Sequence, residues 1–324
     1  MQGIEKLREI IEKYIQQLDF KKPPVELYEP ISYTLSSDGK RIRPVLTLLA
    51  CHMFSEKIKD AVFPALGLEV FHNFTLLHDD IMDNAPVRRG LPTVHEKWNA
   101  STAILSGDAM LIEAYKLVCK APDFCLSSVL EVFSDTALGV CEGQMYDMQF
   151  ENRLEVSEKE YLEMIKLKTS VLLAACLKIG ALIGKASNEN ADLLYKFGIN
   201  LGLAFQLMDD WLDVYSDPKV FGKKTGGDIV GNKKTYLLIK ALENAGTETK
   251  GKLMHWIEKE NFVEKEKIES VKTIYIELGI GELTLAKAKE YSKLAFDCLE
   301  KVNVANEKKE VLFELGEYLL GRNK

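Results

Sequence analysis

The spacing of apolar residues constrains this chain more than any other feature, because it follows a helical period along nearly the whole length. Apolar residues recur three and four positions apart in long segments, and the 324 residues contain only 9 prolines to interrupt them. No sustained alternation of apolar and polar residues is bounded by hairpin turns, so strand signals are poor. The pattern predicts an all-α fold with several long helices.

Turn and breaker residues divide the chain into predicted helices, with loops at 84–92 and 216–232. A further apolar segment follows Pro44. The helices are expected at about 1–18, 25–36, 58–83, 99–120, 126–150, 157–184, 189–215, 233–244, 249–258, 265–278, 282–301 and 306–321. No linker shows a clear shift in composition, and this favours a single domain over residues 1–324.

An acidic cluster ends the helix predicted at 58–83. Asp79 and Asp83 are four residues apart, with Asp80 between them, so on a helix both project from one face. Like charges this close repel each other, and a divalent cation such as Mg²⁺ relieves that repulsion by taking carboxylate oxygens, water and substrate phosphates. An acidic, solvated helix end is the alternative.

The same spacing occurs again in Asp209-Asp210-Trp211-Leu212-Asp213. This second cluster also ends a long apolar helix and also precedes a basic loop. Two clusters in equivalent contexts favour a metal site over two separate surface features. In a helical bundle, both acidic ends can face across one mouth.

Basic residues flank both acidic clusters, although the whole chain carries a net charge of −7. Arginine makes forked contacts to phosphate and lysine provides a point charge, so this concentration suggests diphosphate binding. The acidic overall balance argues against a nucleic-acid binder. The basic residues are Lys40, Arg41, Arg43, Arg88, Arg89, Lys168, Lys223, Lys224, Lys233 and Lys234.

Other sequence features limit the possible compartment. The sequence contains no run of 18 apolar residues, so no membrane span is expected. The amphipathic N-terminal segment lacks the features of a secretory signal. The six cysteines show no CxxC spacing that would indicate a zinc site. Most of them lie in apolar helical segments, so buried, reduced thiols and a cytoplasmic location are expected.

The motifs together resemble those of the trans-isoprenyl diphosphate synthases, the family that includes farnesyl and geranylgeranyl diphosphate synthases. One small departure is Ser170, where the family usually has Ala or Gly. The matching pieces are Gly39-Lys40-Arg41-Ile42-Arg43-Pro44, His72, the first Asp cluster, Arg88-Arg89-Gly90, Gly143-Gln144-x-x-Asp147, Lys168-Thr169, Phe205-Gln206 with the second Asp cluster, Lys223-x-x-Gly226-x-Asp228 and Lys233-x-Thr235.

The resemblance implies a helical bundle whose two acidic helix ends face each other across a deep cavity. Three Mg²⁺ ions held by Asp79, Asp83 and Asp209 would bind the allylic diphosphate. That diphosphate would also contact Arg88, Lys168, Thr169, Gln206, Lys223 and Lys233. Isopentenyl diphosphate would lie on Lys40, Arg43, His72 and Arg89. The residues expected to take part in catalysis are Asp79, Asp80, Asp83, Lys168, Thr169, Gln206, Asp209, Asp210 and Lys223.

In similar enzymes an allylic C–O bond breaks, isopentenyl diphosphate attacks the allylic cation, and the released diphosphate takes the lost proton. Charge on the departing diphosphate is stabilised by Mg²⁺, Arg and Lys. Hydroxyl and carbonyl dipoles of Thr169 and Gln206 are expected to steady the cation, and a closed apolar site to exclude water.

Product length is expected to depend on the face of the helix that precedes Asp79. Phe74 lies five residues before it, Thr75 four and Phe71 eight. An aromatic residue five positions before the first Asp, together with an uninterrupted Asp-x-x-Asp spacing, resembles the pattern of the family's geranylgeranyl (C20) synthases. This resemblance implies a C20 product. Farnesyl (C15) synthesis is the alternative.

Three rival functions fit the sequence less well. A class I terpene cyclase usually carries a different second metal motif, and a catalytically silent prenyltransferase subunit tends to lose part of an Asp cluster. A di-iron bundle requires a Glu-x-x-His motif on each of two facing helices, and the chain does not carry two such motifs. The family resemblance also implies a homodimer, for which the apolar helices at 99–150 offer surface.

Overall fold

The computed structural model describes residues 2–37, 39–216 and 225–321, and helices follow one another throughout them. The long helices are α1 (Gln2–Ile15), α2 (Val25–Ser36), α3 (Ile42–Phe54), α4 (Val62–Met82), α6 (Ala100–Val118), α7 (Leu126–Glu151), α9 (Val171–Ile183), α10 (Asn188–Tyr215), α13 (Thr247–Glu258), α14 (Glu264–Glu277), α15 (Ile280–Glu300) and α16 (Asn306–Leu320). Shorter ones are α5 (Val94–Lys97), α8 (Glu158–Ile165), α11 (Gly227–Val230) and α12 (Tyr236–Asn244), with a 3₁₀ turn at Ile58–Ala61 and a π-helical turn at Lys166–Ser170.

Local sequence explains where two of these helices begin. The side chain of Asn99 accepts a hydrogen bond from the Thr102 backbone and so caps α6. Ser157 and Glu160 form a reciprocal capping box at the start of α8. In both cases a short polar side chain satisfies backbone N–H groups that have no partner within the helix.

The all-α prediction is confirmed, with two local differences. The helix expected at 157–184 is interrupted by the π-helical turn. The loop expected at 84–92 contains a short antiparallel pair, β1 (Val87–Arg88) and β2 (Leu91–Pro92), in which Arg88 is opposite Leu91. Arg89 and Gly90 connect the strands, and both have positive φ, as a tight two-residue hairpin requires.

The described residues fall into two compact units, and the predicted single domain stays a prediction. The first unit comprises Met1–Ala137, Leu172–Tyr195 and Leu299–Leu315. In it α4 approaches α6 closely at two glycines. A Cβ at Gly67 would lie 2.9 Å from the carbonyl oxygen of Ala114, and one at Gly107 would overlap the ring of His78. This close approach holds the C-terminal half of α4 in place.

The second unit comprises Leu138–Val171, Lys196–Cys298 and Gly316–Lys324. It contains two apolar clusters. One packs α8 against α10 and α12, with Tyr161 and Leu207 at its centre. The other packs α12 against α13 and α14 around Leu237, Leu253 and Tyr275. Val214 of α10 and Ile229 of α11 belong to the second cluster, so its burial helps to position the end of α10 and the short helix α11.

Two further expectations concern the described part of the chain. None of its helices has the length and apolar character to cross a membrane. None of the six cysteines forms a disulfide within the described residues. Cys51, Cys125 and Cys176 are buried, as expected, and Cys298 is half-buried, whereas the expectation of burial is wrong for Cys119 and Cys141, which are exposed.

Candidate active site

The first acidic cluster lies at the C-terminal end of α4. The Asp83 backbone N–H donates to the Asp79 carbonyl at 2.9 Å, so the two carboxylates belong to one closing turn. Asp80 is buried, whereas the side chain of Asp79 is 18% exposed and Asp83 is exposed. The solvated helix end that was the alternative therefore does not describe Asp80.

The β1–β2 hairpin brings Arg88 to this helix end. Its Nε donates to Asp80 Oδ1 at 2.6 Å, and its Nη2 donates to Asp79 Oδ2 at 3.2 Å. Burial raises the pKa of Asp80, and the charge of Arg88 opposes that rise. A forked guanidinium thus joins two neighbouring carboxylates, an arrangement that lysine does not reproduce.

Arg43 and His72 lie together on α3 and α4. Arg43 Nη1 is 3.0 Å from His72 Nε2. Burial first, and then the charge of Arg43, lower the pKa of His72 well below its usual range, so the ring is neutral at pH 7. Because arginine only donates hydrogen bonds, Nε2 must be the acceptor and Nδ1 must carry the ring proton.

Arg41, expected to belong with the phosphate-binding residues, has a structural role instead. It is buried, with φ of 49°, and its guanidinium donates to Glu12 and Glu69, each at 2.9 Å. A third bond at 2.6 Å reaches the Leu35 carbonyl. Arg41 therefore ties α1, α2 and α4 together.

The remaining basic residues of the first unit lie near this ion-pair network. Lys40 is exposed, whereas Arg89 donates from Nη1 to Ser37 Oγ at 3.1 Å. Burial lowers the pKa of Arg89, although arginine remains protonated in proteins. A Cβ at Gly39 would lie 3.2 Å from Arg89 Nη1, so glycine leaves space for this side chain.

Aromatic rings lie on α4 before the acidic cluster. The Phe71 ring is fully buried, with its centroid 5.6 Å from that of Phe74 and 5.3 Å from that of Phe133 on α7. Phe74 is 8% exposed and lies 4.7 Å from the ring of His78. Thr75 bonds the His72 carbonyl at 2.8 Å. Phe71 is thus backed by a second ring that the sequence did not indicate.

The π-helical turn presents Lys168 and Thr169 in the second unit. Two glycines allow neighbouring helices to reach it: a Cβ at Gly143 of α7 would overlap the Lys168 amide nitrogen, and one at Gly202 of α10 would lie 2.6 Å from Ser170 Cα. This close packing gives a physical reason for glycine in the Gly143-Gln144-x-x-Asp147 motif. Single π-helical turns occur frequently at functional sites.

Lys168 and Thr169 each bond a neighbouring helix. Lys168 Nζ donates to Asp147 Oδ2 at 2.5 Å, and Thr169 Oγ1 donates to Gln206 Oε1 at 3.3 Å. The Lys168 and Asp147 side chains are about one quarter exposed, at 26% and 27%. This leaves the lysine accessible to an anion from the cleft.

Asp210 is the buried carboxylate of the second acidic cluster. Tyr161 donates its hydroxyl proton to Asp210 Oδ2, and Gln206 Nε2 donates to Oδ1 at 3.1 Å. Burial raises the pKa of Asp210 well above its usual range, and these two bonds oppose the rise. Because both its oxygens are bonded within the unit, Asp210 orients Gln206, while Asp209 beside it is half-buried.

Asp213 lies in the last turn of α10, and its contacts reach the start of α11, which carries Asp228. The Asp228 backbone N–H donates to Asp213 Oδ2 at 3.0 Å, and the Gly226 N–H donates to the Asp213 carbonyl at 2.7 Å. Burial and then Asp213 raise the pKa of Asp228 to about 6, whereas Lys233 lowers it. Lys223 and Lys224, predicted for this loop, lie outside the described residues.

Most of these side chains in the second unit line one cleft. Lys168, Thr169, Gln206, Asp210 and Lys233 were predicted as site residues and all line it. The other lining residues are Asp147, Tyr161, Met164, Ile165, Asp228, Lys234 and Thr235. Tyr161 was missed because a tyrosine at helical spacing cannot be distinguished from a core residue in the sequence.

The donor chemistry fits a hard cation. Within the described ranges no three carboxylate, imidazole or thiolate side chains converge on one point as a complete ligand set. Mg²⁺ does not require such a set, because it commonly takes one or two carboxylates and fills the rest of its octahedron with water and substrate phosphate. Asp79 and Asp83, one turn apart on an accessible helix end, suit that mode.

Comparisons with known proteins show what the chain is similar to. A polyprenyl synthetase family model matches residues 24–276. The geranylgeranyl diphosphate synthase of Methanosarcina mazei is 43% identical over 222 residues, which are 68% of each chain. The short chain isoprenyl diphosphate synthase of Methanothermobacter thermautotrophicus is 35% identical over 99% of this chain and 98% of its own.

A solved structure supports the same assignment. The crystal structure of a geranylgeranyl pyrophosphate synthase is 45% identical, covers 98% of both chains and has a TM-score of 0.93. The chain therefore belongs to the polyprenyl synthetase family, whose members are trans-prenyltransferases.

Proposed function

We propose that this chain condenses isopentenyl diphosphate with an allylic diphosphate and makes geranylgeranyl diphosphate (C20). The observation that carries the proposal is the cleft in which Lys168, Thr169, Gln206 and Lys233 come together from a π-helical turn, a long helix and a loop. Relatives of the chain that are named geranylgeranyl diphosphate synthases support the C20 product.

Lys168 and Lys233 would bind the allylic diphosphate and stabilise the charge that it gains as the allylic C–O bond breaks. Both are cations at the cleft, and Lys168 also contacts Asp147. The Thr169–Gln206 pair places a hydroxyl and an amide dipole beside them. Gln206 is oriented by Asp210, which is in turn bonded by Tyr161.

Isopentenyl diphosphate would bind in the first unit to Lys40, Arg43, His72 and Arg89. Because His72 is neutral, it does not repel the neighbouring guanidinium of Arg43. Arg43 therefore keeps its positive charge beside the ring. The double bond of isopentenyl diphosphate attacks the allylic cation, and the departing diphosphate accepts the proton that is lost. No protein general base is required.

Magnesium would be held by Asp79 and Asp83 in the first unit and by Asp209 in the second, with three ions proposed from the family resemblance. When bound, it neutralises charge on the leaving diphosphate. Arg88 orients the Asp79 carboxylate through its contact at 3.2 Å and is itself held by Asp80.

A product assay tests the proposed reaction. Purified protein is given Mg²⁺, isopentenyl diphosphate and, in turn, dimethylallyl, geranyl or farnesyl diphosphate, and the products are identified by chromatography and mass. A C20 product that disappears with EDTA and returns with added Mg²⁺ is expected. A C15 product would overturn the assigned length alone, whereas a hydrocarbon without condensation would indicate a cyclase.

We also propose a homodimer, on the basis of apolar side chains that project from α6 and α7. On α6, Ile104, Leu105 and Ile112 are exposed by 45%, 60% and 62%. On the part of α7 in the second unit, Leu138, Met145 and Met148 are exposed by 61%, 54% and 38%. The α7 residues and Cys141 follow the a/d spacing of helices that pair.

A second copy of the chain is the occupant that such helical seams favour, because a two-fold interface uses the same surface from both subunits. Light scattering coupled to size exclusion should give the mass of two chains. The Met145→Glu substitution should lower the measured mass toward that of one chain, whereas Glu142→Gln should leave the mass at two chains. A single-chain mass for the unaltered protein at all concentrations would contradict the dimer.

A further inference from the structure

Lys267 on α14 is a buried cation whose charge no carboxylate of the described residues pairs with. The residue is 1% exposed. Its Nζ donates to Asn232 Oδ1 at 2.7 Å and to the Val230 carbonyl at 3.3 Å, and it lies 4.2 Å from the centroid of the Phe262 ring. Burial lowers the pKa of Lys267. Burying an ammonium group is costly, so these contacts must offset that cost.

Asn232 connects Lys267 to the backbone turn that follows α11. It has a φ of 51°, in the left-handed region that side-chain-bearing residues rarely adopt, although asparagine tolerates it best. Its Nδ2 donates to the Ile257 carbonyl at 3.0 Å, and its own carbonyl accepts from Lys234 Nζ at 3.2 Å. With the bond from Lys267, three contacts hold this backbone turn.

The turn at Asn232 sets the positions of two residues that line the cleft. Asp228 and Lys233 stand on either side of it, and the Lys233 N–H donates to the Asp228 carbonyl at 2.9 Å. The Thr235 N–H donates back to the Lys233 carbonyl at 2.8 Å. A change in the Asn232 conformation would therefore move Lys233 relative to Lys168 and Gln206.

We propose that Lys267 is a positioning residue which, through Asn232, holds Lys233 and Asp228 in the geometry that binds a diphosphate. Lys267 need not touch substrate. The inference rests on the proposed function, since it assigns to Lys233 the allylic diphosphate. It adds a residue on α14 that lies outside every motif of the sequence.

Lys267→Met tests the proposal by removing the charge and keeping much of the side-chain volume. Lys265→Met is the matched control: it lies on the same helix, is 84% exposed at its side chain and is 3.9 Å from Glu269. We expect Lys267→Met to weaken the Kd for inorganic pyrophosphate with Mg²⁺ by roughly tenfold, with a similar rise in KM for the allylic diphosphate. The KM for isopentenyl diphosphate should stay unchanged, and Lys265→Met should match the unaltered protein.

Asn232→Gly provides a second variant that keeps the positive φ and removes the side chain that accepts from Lys267. It should also weaken pyrophosphate binding, and the double variant should lose no more than Lys267→Met alone, because both changes break one connection. If circular dichroism shows that Lys267→Met does not fold, Asn232→Gly decides the question.

Unchanged pyrophosphate affinity in the folded variants would overturn the positioning role, and so would an equal rise in KM for both substrates or additive losses in the double variant. If the unaltered protein performed no condensation, the proposed function would fail. The pyrophosphate titration would still decide the role of Lys267, because it requires no turnover.

Discussion

Gly143 lies directly against the backbone of Lys168. A Cβ at position 143 would overlap the Lys168 amide nitrogen and lie 2.8 Å from the Leu167 carbonyl carbon. One turn further along α7, Asp147 pairs with the Lys168 side chain at 2.5 Å. Helix α7 thus determines both where the backbone of Lys168 lies and where its charge is held, within the second unit.

Gly143→Ala should therefore impair both stability and activity. The added methyl group meets backbone rather than a flexible side chain, so the π-helical turn must shift. Overpacking of this kind costs about 1–3 kcal/mol. We expect a lower Tm and a lower kcat/KM for the allylic substrate.

Gly251→Ala on α13 is the control for Gly143→Ala. A Cβ there would have no heavy atom within 4 Å. The substitution should raise stability by roughly 0.5–1 kcal/mol, since glycine is the less favourable residue within a helix. Equal effects of the two substitutions would show that the contact with Lys168 is unimportant.

Arg88→Lys should reduce activity although the charge is kept. Lysine cannot make the two contacts by which Arg88 holds Asp79 and Asp80, because its ammonium group is a single point. A loss of roughly tenfold in kcat/KM is expected, equivalent to about 1.4 kcal/mol. Steady-state kinetics at saturating Mg²⁺ measure it.

Arg8→Lys is the matched control for Arg88→Lys. Arg8 is 41% exposed at its side chain and lies 4.0 Å from Glu5. Pairs at this exposure contribute little, so activity should stay unchanged. Full activity in Arg88→Lys would show that the forked geometry is not required.

The sequence predicted the helices and most of the cleft because apolar spacing and repeated acidic motifs are local patterns. It did not predict the π-helical turn at Lys166–Ser170, since one additional residue in a helical turn leaves little trace in that spacing. The β1–β2 hairpin was missed for a similar reason. Strands of two residues are too short to show alternation.

Arg41 and Arg43 show why the roles of single residues could not be predicted from the sequence. Both looked alike in the sequence, but a left-handed backbone at Arg41 turns its side chain toward Glu12 and Glu69, whereas Arg43 reaches His72. Lys267 and Tyr161 depend likewise on tertiary contacts between residues distant in sequence. No local pattern reports those contacts.

Glu160 should make the stability of the folded state depend on pH in a way that can be measured. Its bond with Arg153, and then its bonds with Ser157, lower the pKa of Glu160 from 4.5 to about 2. A carboxyl whose pKa is lowered in the folded state stabilises it above the unfolded pKa, and this contribution is lost as the pH falls. It should be complete above pH 4.5 and disappear toward pH 2.

Urea unfolding of Glu160→Gln should accordingly show lower stability than the unaltered protein at pH 7, with the difference shrinking below pH 4.5. Arg153→Gln should reproduce the pattern, because it removes the first cause of the shift. A difference that is constant with pH would mean that loss of the cap, rather than of the charge, explains the effect.

Phe74→Ala should lengthen the prenyl product. The Phe74 ring lies before Asp79 on α4, is 8% exposed and packs at 4.7 Å against His78. Its removal opens a cavity that additional isoprene units can fill, whereas Phe71 behind it remains supported by Phe133 at 5.3 Å. The same cavity should cost about 3–5 kcal/mol of stability, so products are compared at a temperature where the variant is folded.

Phe124→Ala is the control for Phe74→Ala. It removes a ring that is 57% exposed and should leave product length unchanged. Unchanged length in folded Phe74→Ala would show that another surface limits the chain.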